Sequence, residues 1–203
     1  MNLKNIKLQY VIYVVGAVSV IWYFLNQPKE HAVGMGSKEA VQLVVDSLKT
    51  LDTEKYRIES VQWNEKDKLT DKLEYISVSL VDKDGERYGK DFYLNGTSYE
   101  PVSKGRSTVT RPFRPIQIAD FKSDDIVKQI ESAVSQLPDE LEFKSVAKYR
   151  ISSDLYSDNI EHRFTIRVTK KGEKQTRTRR SVITNFYELE FDVQPDGTVI
   201  FKE

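Results

Sequence analysis

Residues 123–137 read SDDIVKQIESAVSQL, and residues 37–51 read SKEAVQLVVDSLKTL. Laid over each other from their first serines, Val41 falls on Val127, Val44 on Ile130, Leu48 on Val134 and Leu51 on Leu137. Apolar side chains three or four positions apart lie on one face of an α-helix. Ser37 is a good N-cap for the first helix. Asp124 and Asp125 occupy the first turn of the second, where the helix dipole favours anions, and Pro138 stops it. A helix that recurs in this way implies a module that recurs.

The stretches after the two helices carry the repeat further. Ile58, Ser60 and Val61 match Phe143, Ser145 and Val146. Ile76, Val78 and Leu80 then match Phe164, Ile166 and Val168, alternating with polar residues as a half-buried strand does. Each copy closes on a hairpin, FYLNGTSY (92–99) and FDVQPDGTVIF (191–201), whose Asn-Gly and Asp-Gly pairs are turn signals. Near the end, Tyr187, Leu189, Phe191 and Val193 form an apolar row while Glu188, Glu190 and Asp192 face away. The expected fold class is α+β: two tandem α-β-β-β-β modules, each a helix packed on its own antiparallel sheet. In element order this resembles the tandem α/β4 arrangement of the PepSY domain and the β-lactamase-inhibitor protein. What that resemblance implies is an inhibitory role towards an extracytoplasmic hydrolase or peptidase, although element order alone does not fix function.

Ahead of the modules, residues 8–25 read LQYVIYVVGAVSVIWYFL, with Gln9 and Ser19 the clearly polar positions. A run of this length suffices to cross a bilayer. Tyr10, Tyr13, Trp22 and Tyr23 lie towards its ends, and Lys4 and Lys7 precede it. By the positive-inside rule the expectation is a single-pass signal anchor in a bacterial inner (cytoplasmic) membrane, its N-terminus cytoplasmic and residues 26–203 periplasmic or extracellular. A cleaved signal is less suited, because the run is long and lacks a small-x-small site at its end. The organisation expected is a tail (1–7), the anchor (8–25), a tether (26–36), the first module (37–102), a Pro-rich basic linker (103–121) and the second module (122–203).

Composition narrows the function. Of 203 residues, 31 are Lys or Arg and 31 are Asp or Glu, so no net field attracts nucleic acid. There is no cysteine, which excludes disulfides, thiol catalysis and cysteine-held metals. His31 and His162 lack metal-ligand spacing and read as solvent-exposed. No G-x-S-x-G, P-loop or dinucleotide fingerprint occurs, so neither an enzyme nor a cofactor or metal is expected. Asp82-Lys83-Asp84-Gly85 fails the ligand positions of a calcium loop and reads as a turn, as does Asn95-Gly96-Thr97.

Two departures from repetition are candidate partner-binding segments. The linker offers Arg111, Phe113 and Arg114 as a docking strap, against the plainer reading of a solvated connector. Residues 170–181, KKGEKQTRTRRS, have no counterpart in the first copy and bring together Lys170, Lys171, Lys174, Arg177, Arg179 and Arg180. Such a tip is either a solvated hairpin or an arm for an anionic surface. The function expected is a protein-interaction module, a structural or assembly subunit of a bacterial envelope complex such as a secretion or pilus system. Its partners would be other envelope proteins and, through residues 8–25, the lipid bilayer. The alternatives are an anchored inhibitor of an extracytoplasmic hydrolase or peptidase, and a binder of an anionic envelope polymer.

Overall fold

The computed structural model describes residues 33–94, 102–154, 157–172, 176–177 and 182–202. Among the described residues there are two α-helices, α1 (Lys38–Leu48) and α2 (Ser123–Ser135), with a short 3₁₀ turn at Ile118–Asp120. The first four strands are β1 (Arg57–Glu65), β2 (Leu73–Val81), β3 (Glu86–Tyr93) and β4 (Ser103–Thr108). Those after α2 are β5 (Leu141–Ser153), β6 (Ile160–Lys170), β7 (Thr176–Arg177), β8 (Val182–Ile183), β9 (Tyr187–Val193) and β10 (Val199–Lys202).

Eight strands form one antiparallel sheet in the order β10-β9-β6-β5-β1-β2-β3-β4, while β7 and β8 pair separately. The sequence of a helix followed by an antiparallel meander occurs twice. The two meanders meet where β1 pairs with β5, Ser60 opposite Ser152, Gln62 opposite Arg150 and Asn64 opposite Lys148.

Alternation along the strands sends apolar residues to one face. Val61 and Trp63 of β1, Ile76 and Val78 of β2, Tyr149 and Ile151 of β5, and Phe164 and Ile166 of β6 are all buried in one cluster. Val41, Val44 and Leu48 of α1 and Ile126, Ile130 and Ala133 of α2 belong to that same cluster. An aromatic row crosses it in register. Trp63 stacks on Tyr149 at 4.6 Å, Tyr149 on Phe164 at 5.4 Å, and Phe164 on Phe191 at 5.5 Å. Phe201 of β10 ends the row, 5.6 Å from Phe191 and 44% exposed at the sheet edge.

The α+β reading with two helix-packed modules is therefore corrected. The described chain is predominantly antiparallel β-structure with two short helices, and residues 32–203 form a single compact unit. The physical reason lies at the seam: β1 and β5 would each leave an unpaired edge if the halves closed separately, and pairing them satisfies both ladders. The membrane reading is corrected as well. Among the described residues no helix is long and apolar enough to cross a membrane. The helices have 11 and 13 residues, roughly 17–20 Å at 1.5 Å per residue, against a hydrocarbon core of about 30 Å. Single-pass topology, the signal anchor and the inner-membrane placement are not upheld, and residues 8–25, on which they rested, lie outside the described residues.

The connector between the halves is more structured than a solvated strap. Ser103–Thr108 forms edge strand β4 against β3. Further on, the Ile116 N–H donates to the Ile58 carbonyl at 3.0 Å, which ties the connector to β1.

Candidate binding face

The alternation that buries one side of the sheet sends polar residues to the other. Ser60, Gln62 and Asn64 of β1 lie beside Lys148, Arg150 and Ser152 of β5. Ser77 and Ser79 flank them on β2, and Arg163 and Thr165 on β6. Where β1 meets β5, this face holds an open cleft of about 570 Å³.

Its floor is a row of small hydroxyl residues. Ser60 stands opposite Ser79 on one side and Ser152 on the other. Ser60 is only 6% exposed, lines the cleft and has no side-chain hydrogen bond among the described residues. One wall is the Arg87–Glu59 pair: Arg87 Nε donates to Glu59 Oε2 at 2.9 Å, and its Nη1 donates to Ser107 Oγ at 2.9 Å. Across the floor, Arg163 of β6 is paired with Asp192 at 2.5 Å and with Glu190 at 3.3 Å. Arg167, further along β6, bonds Glu188 at 3.0 Å and also Glu65. Arg150 lines the cleft with no ion pair among the described residues. Asp154 and Glu161 complete its charged lining.

A second cleft, of about 540 Å³, lies between α2 and the β9–β10 turn and is lined by His162, Gln129, Asp125 and Asp196, among others. The expectation of a solvent-exposed His162 is corrected here. Tyr149 Oη donates to Gln129 Oε1, which commits its one proton. His162 Nδ1, 3.0 Å from the same oxygen, is then the donor of that contact. Burial holds the imidazole below its ordinary pKa, opposed by the charges of Asp120 and Asp125. Burial also pushes the Tyr149 phenol up. Among the described residues no group of three or more His, Asp or Glu is placed to hold a metal ion.

The residues singled out from sequence are dispersed. Phe113 is buried at 6% exposure, with the Arg57 guanidinium 5.1 Å from its ring centre. Arg114 pairs with Asp120 at 2.6 Å, and its carbonyl accepts from Ser153 Oγ. Arg111 is exposed. Lys170 lies 5.7 Å from the Tyr187 ring, and the Lys171 N–H donates to the Glu140 carbonyl at 2.8 Å. Arg177 falls in β7, with its backbone alone described, while Lys174, Arg179 and Arg180 lie outside the described residues, as does Asn95-Gly96-Thr97. Asp82 Oδ1 accepts from the N–H groups of Asp84 and Glu86, both at 2.9 Å, which makes that segment a turn. Ser60, Ser79, Arg150 and Ser152 carry no sequence motif. Their signal was the polar set of each strand, legible only once β1 and β5 are known to be neighbours.

No protein-family model matches the chain, and no curated protein matches it. Among solved structures, the chain is similar to a candidate lipoprotein from Clostridium difficile 630, at 16% identity and a TM-score of 0.43 over 86% of this chain and 97% of that one. A likeness of that size transfers neither fold nor role.

Proposed function

We propose that this chain is a non-enzymatic protein-interaction module whose contact surface is the polar face of the sheet, in an assembly outside the cytoplasm such as a bacterial envelope complex. The observation that carries the reading is the seam between β1 and β5. It gathers an unpaired guanidinium and unpartnered hydroxyls on the face turned away from the helices. Burial of the helices against the opposite face leaves this one available. Export is part of the proposal because Lys4 and Lys7 precede the apolar run 8–25, the charge order read by export machinery. His162, the one histidine among the described residues, is bonded to Tyr149 rather than to a nucleophile, which favours binding over catalysis.

Photo-crosslinking tests this. A benzoylphenylalanine at Ser79, on the polar face, should capture a partner in intact cells, whereas one at Gln42, exposed on α1, should not. Several structural subunits among the captured proteins would identify an assembly role, and one hydrolase an inhibitory role. Capture from Gln42 alone would place the interface on the helical side and end the proposal.

A further inference from the structure

We infer that the cleft at the β1–β5 seam is a carboxylate-binding site, with the Arg150 guanidinium as the charge partner and the Ser60, Ser79 and Ser152 hydroxyls as donors. The inference rests on the polar face being the contact surface and names the chemistry that face would take.

Arg150 and Arg163 stand directly opposite each other on β5 and β6. Like charges facing across two strands repel. Asp192 and Glu190 neutralise Arg163, and no described carboxylate does the same for Arg150. On its other side Arg150 faces Gln62, whose amide donates to Asn64 Oδ1 at 2.7 Å. A guanidinium left in this position matches a carboxylate, which its planar fork grips with two parallel hydrogen bonds.

Ser60 is an independent observation. The residue is only 6% exposed, and what it exposes lines the open cleft, where its hydroxyl lacks a protein partner among the described residues. An oxygen-rich ligand on the serine row would supply one.

The lining also selects within anions. Arg87, Arg150 and Arg163 are matched in number by Glu59, Asp154 and Glu161. A phosphate or a polyanionic polymer would meet the acids as well as the arginines. A single carboxylate needs Arg150 alone.

The test is calorimetric titration of the full chain in a non-ionic detergent, with three probes: the blocked tripeptide acetyl-Ser-Glu-Ser-amide, propionate, and inorganic polyphosphate. Tripeptide binding that falls at least tenfold in Arg150→Gln, and about threefold or more in Ser60→Ala, supports the site. Both variants should melt as the wild type does, and Arg150→Lys should recover part of the loss. Tripeptide binding without propionate binding assigns the carboxylate to a protein partner, and equal binding of the two assigns it to a free small acid. Replacing Arg177, Arg179 and Arg180 with Ser should change nothing. Unaltered tripeptide binding in Arg150→Gln, no binding by the wild type, or tighter binding of polyphosphate overturns the inference. If that happens while Ser79 still crosslinks, the polar face remains an interface and only its proposed chemistry falls.

Discussion

Ile130 and Gly36 form a pair whose energetics expose the packing under α2. A Cβ added at Gly36 would sit 3.2 Å from Ile130 Cδ1 and 3.4 Å from Val146 Cγ2. Ile130, at 6% exposure, fills the space that a glycine leaves. Ile130→Ala should cost about 2–5 kcal/mol in chemical denaturation, as truncated core aliphatics do. Gly36→Ala alone should also destabilise, and it should cost less when Ile130 is already Ala, because the clash is then gone. Strictly additive losses would mean that the two do not touch. His162 makes a second prediction at this scale. Its folded pKa lies below the ordinary value of about 6.5, so below that pH the unfolded chain binds the extra proton and the native fold does not. The stability this contributes is complete above about pH 6.5 and is lost as pH falls towards the folded pKa. Between pH 7 and pH 5.5 the wild type should lose more melting temperature than His162→Gln. Equal slopes would show a solvated imidazole.

Among the elements, the helices were the most legible, because a 3.6-residue period is a local property. Their ends differ more than their faces. The Ser37 side chain accepts from the Ala40 N–H at 3.1 Å and caps α1. Ser123, its counterpart in the alignment, lies inside α2, and Lys122 holds the cap position without a side-chain bond. Ser37→Ala should therefore cost about 1 kcal/mol, and Lys122→Asp should stabilise by about 0.5–1 kcal/mol. Denaturant midpoints that move in the same direction for both would refute the assignment of caps. Among the strands, β2, β6 and β9 follow from alternation. By contrast β4 does not: Ser103–Thr108, with Gly105 and no apolar row, carries no strand pattern and exists because β3 offers an edge.

For the molecule as a whole, the seam decides the unfolding behaviour. The core cluster runs from α1 and β2 to β9 and β10 without a break, so the two halves share one hydrophobic core. Residues 33–203 should lose far-ultraviolet and aromatic circular dichroism signals in a single coincident transition. A fragment ending before α2 would expose the β1 edge together with Trp63 and Ile76, and it should remain unfolded in water. Two resolved transitions, or a folded fragment, would return the halves to the status of separate modules.

What the chain determines by itself is local: which segments are helical, which alternate, where the turns fall, and that the pattern occurs twice. Those properties depend on side-chain spacing and backbone preference within a few residues. Only the tertiary structure decided that the two copies share one sheet, that the connector supplies β4, and that Arg150 lies among three serines from β1, β2 and β5. Each depends on which strand edge meets which. That choice balances unpaired backbone groups and buried area across residues far apart in sequence, and a side chain's own neighbours along the chain carry no record of it.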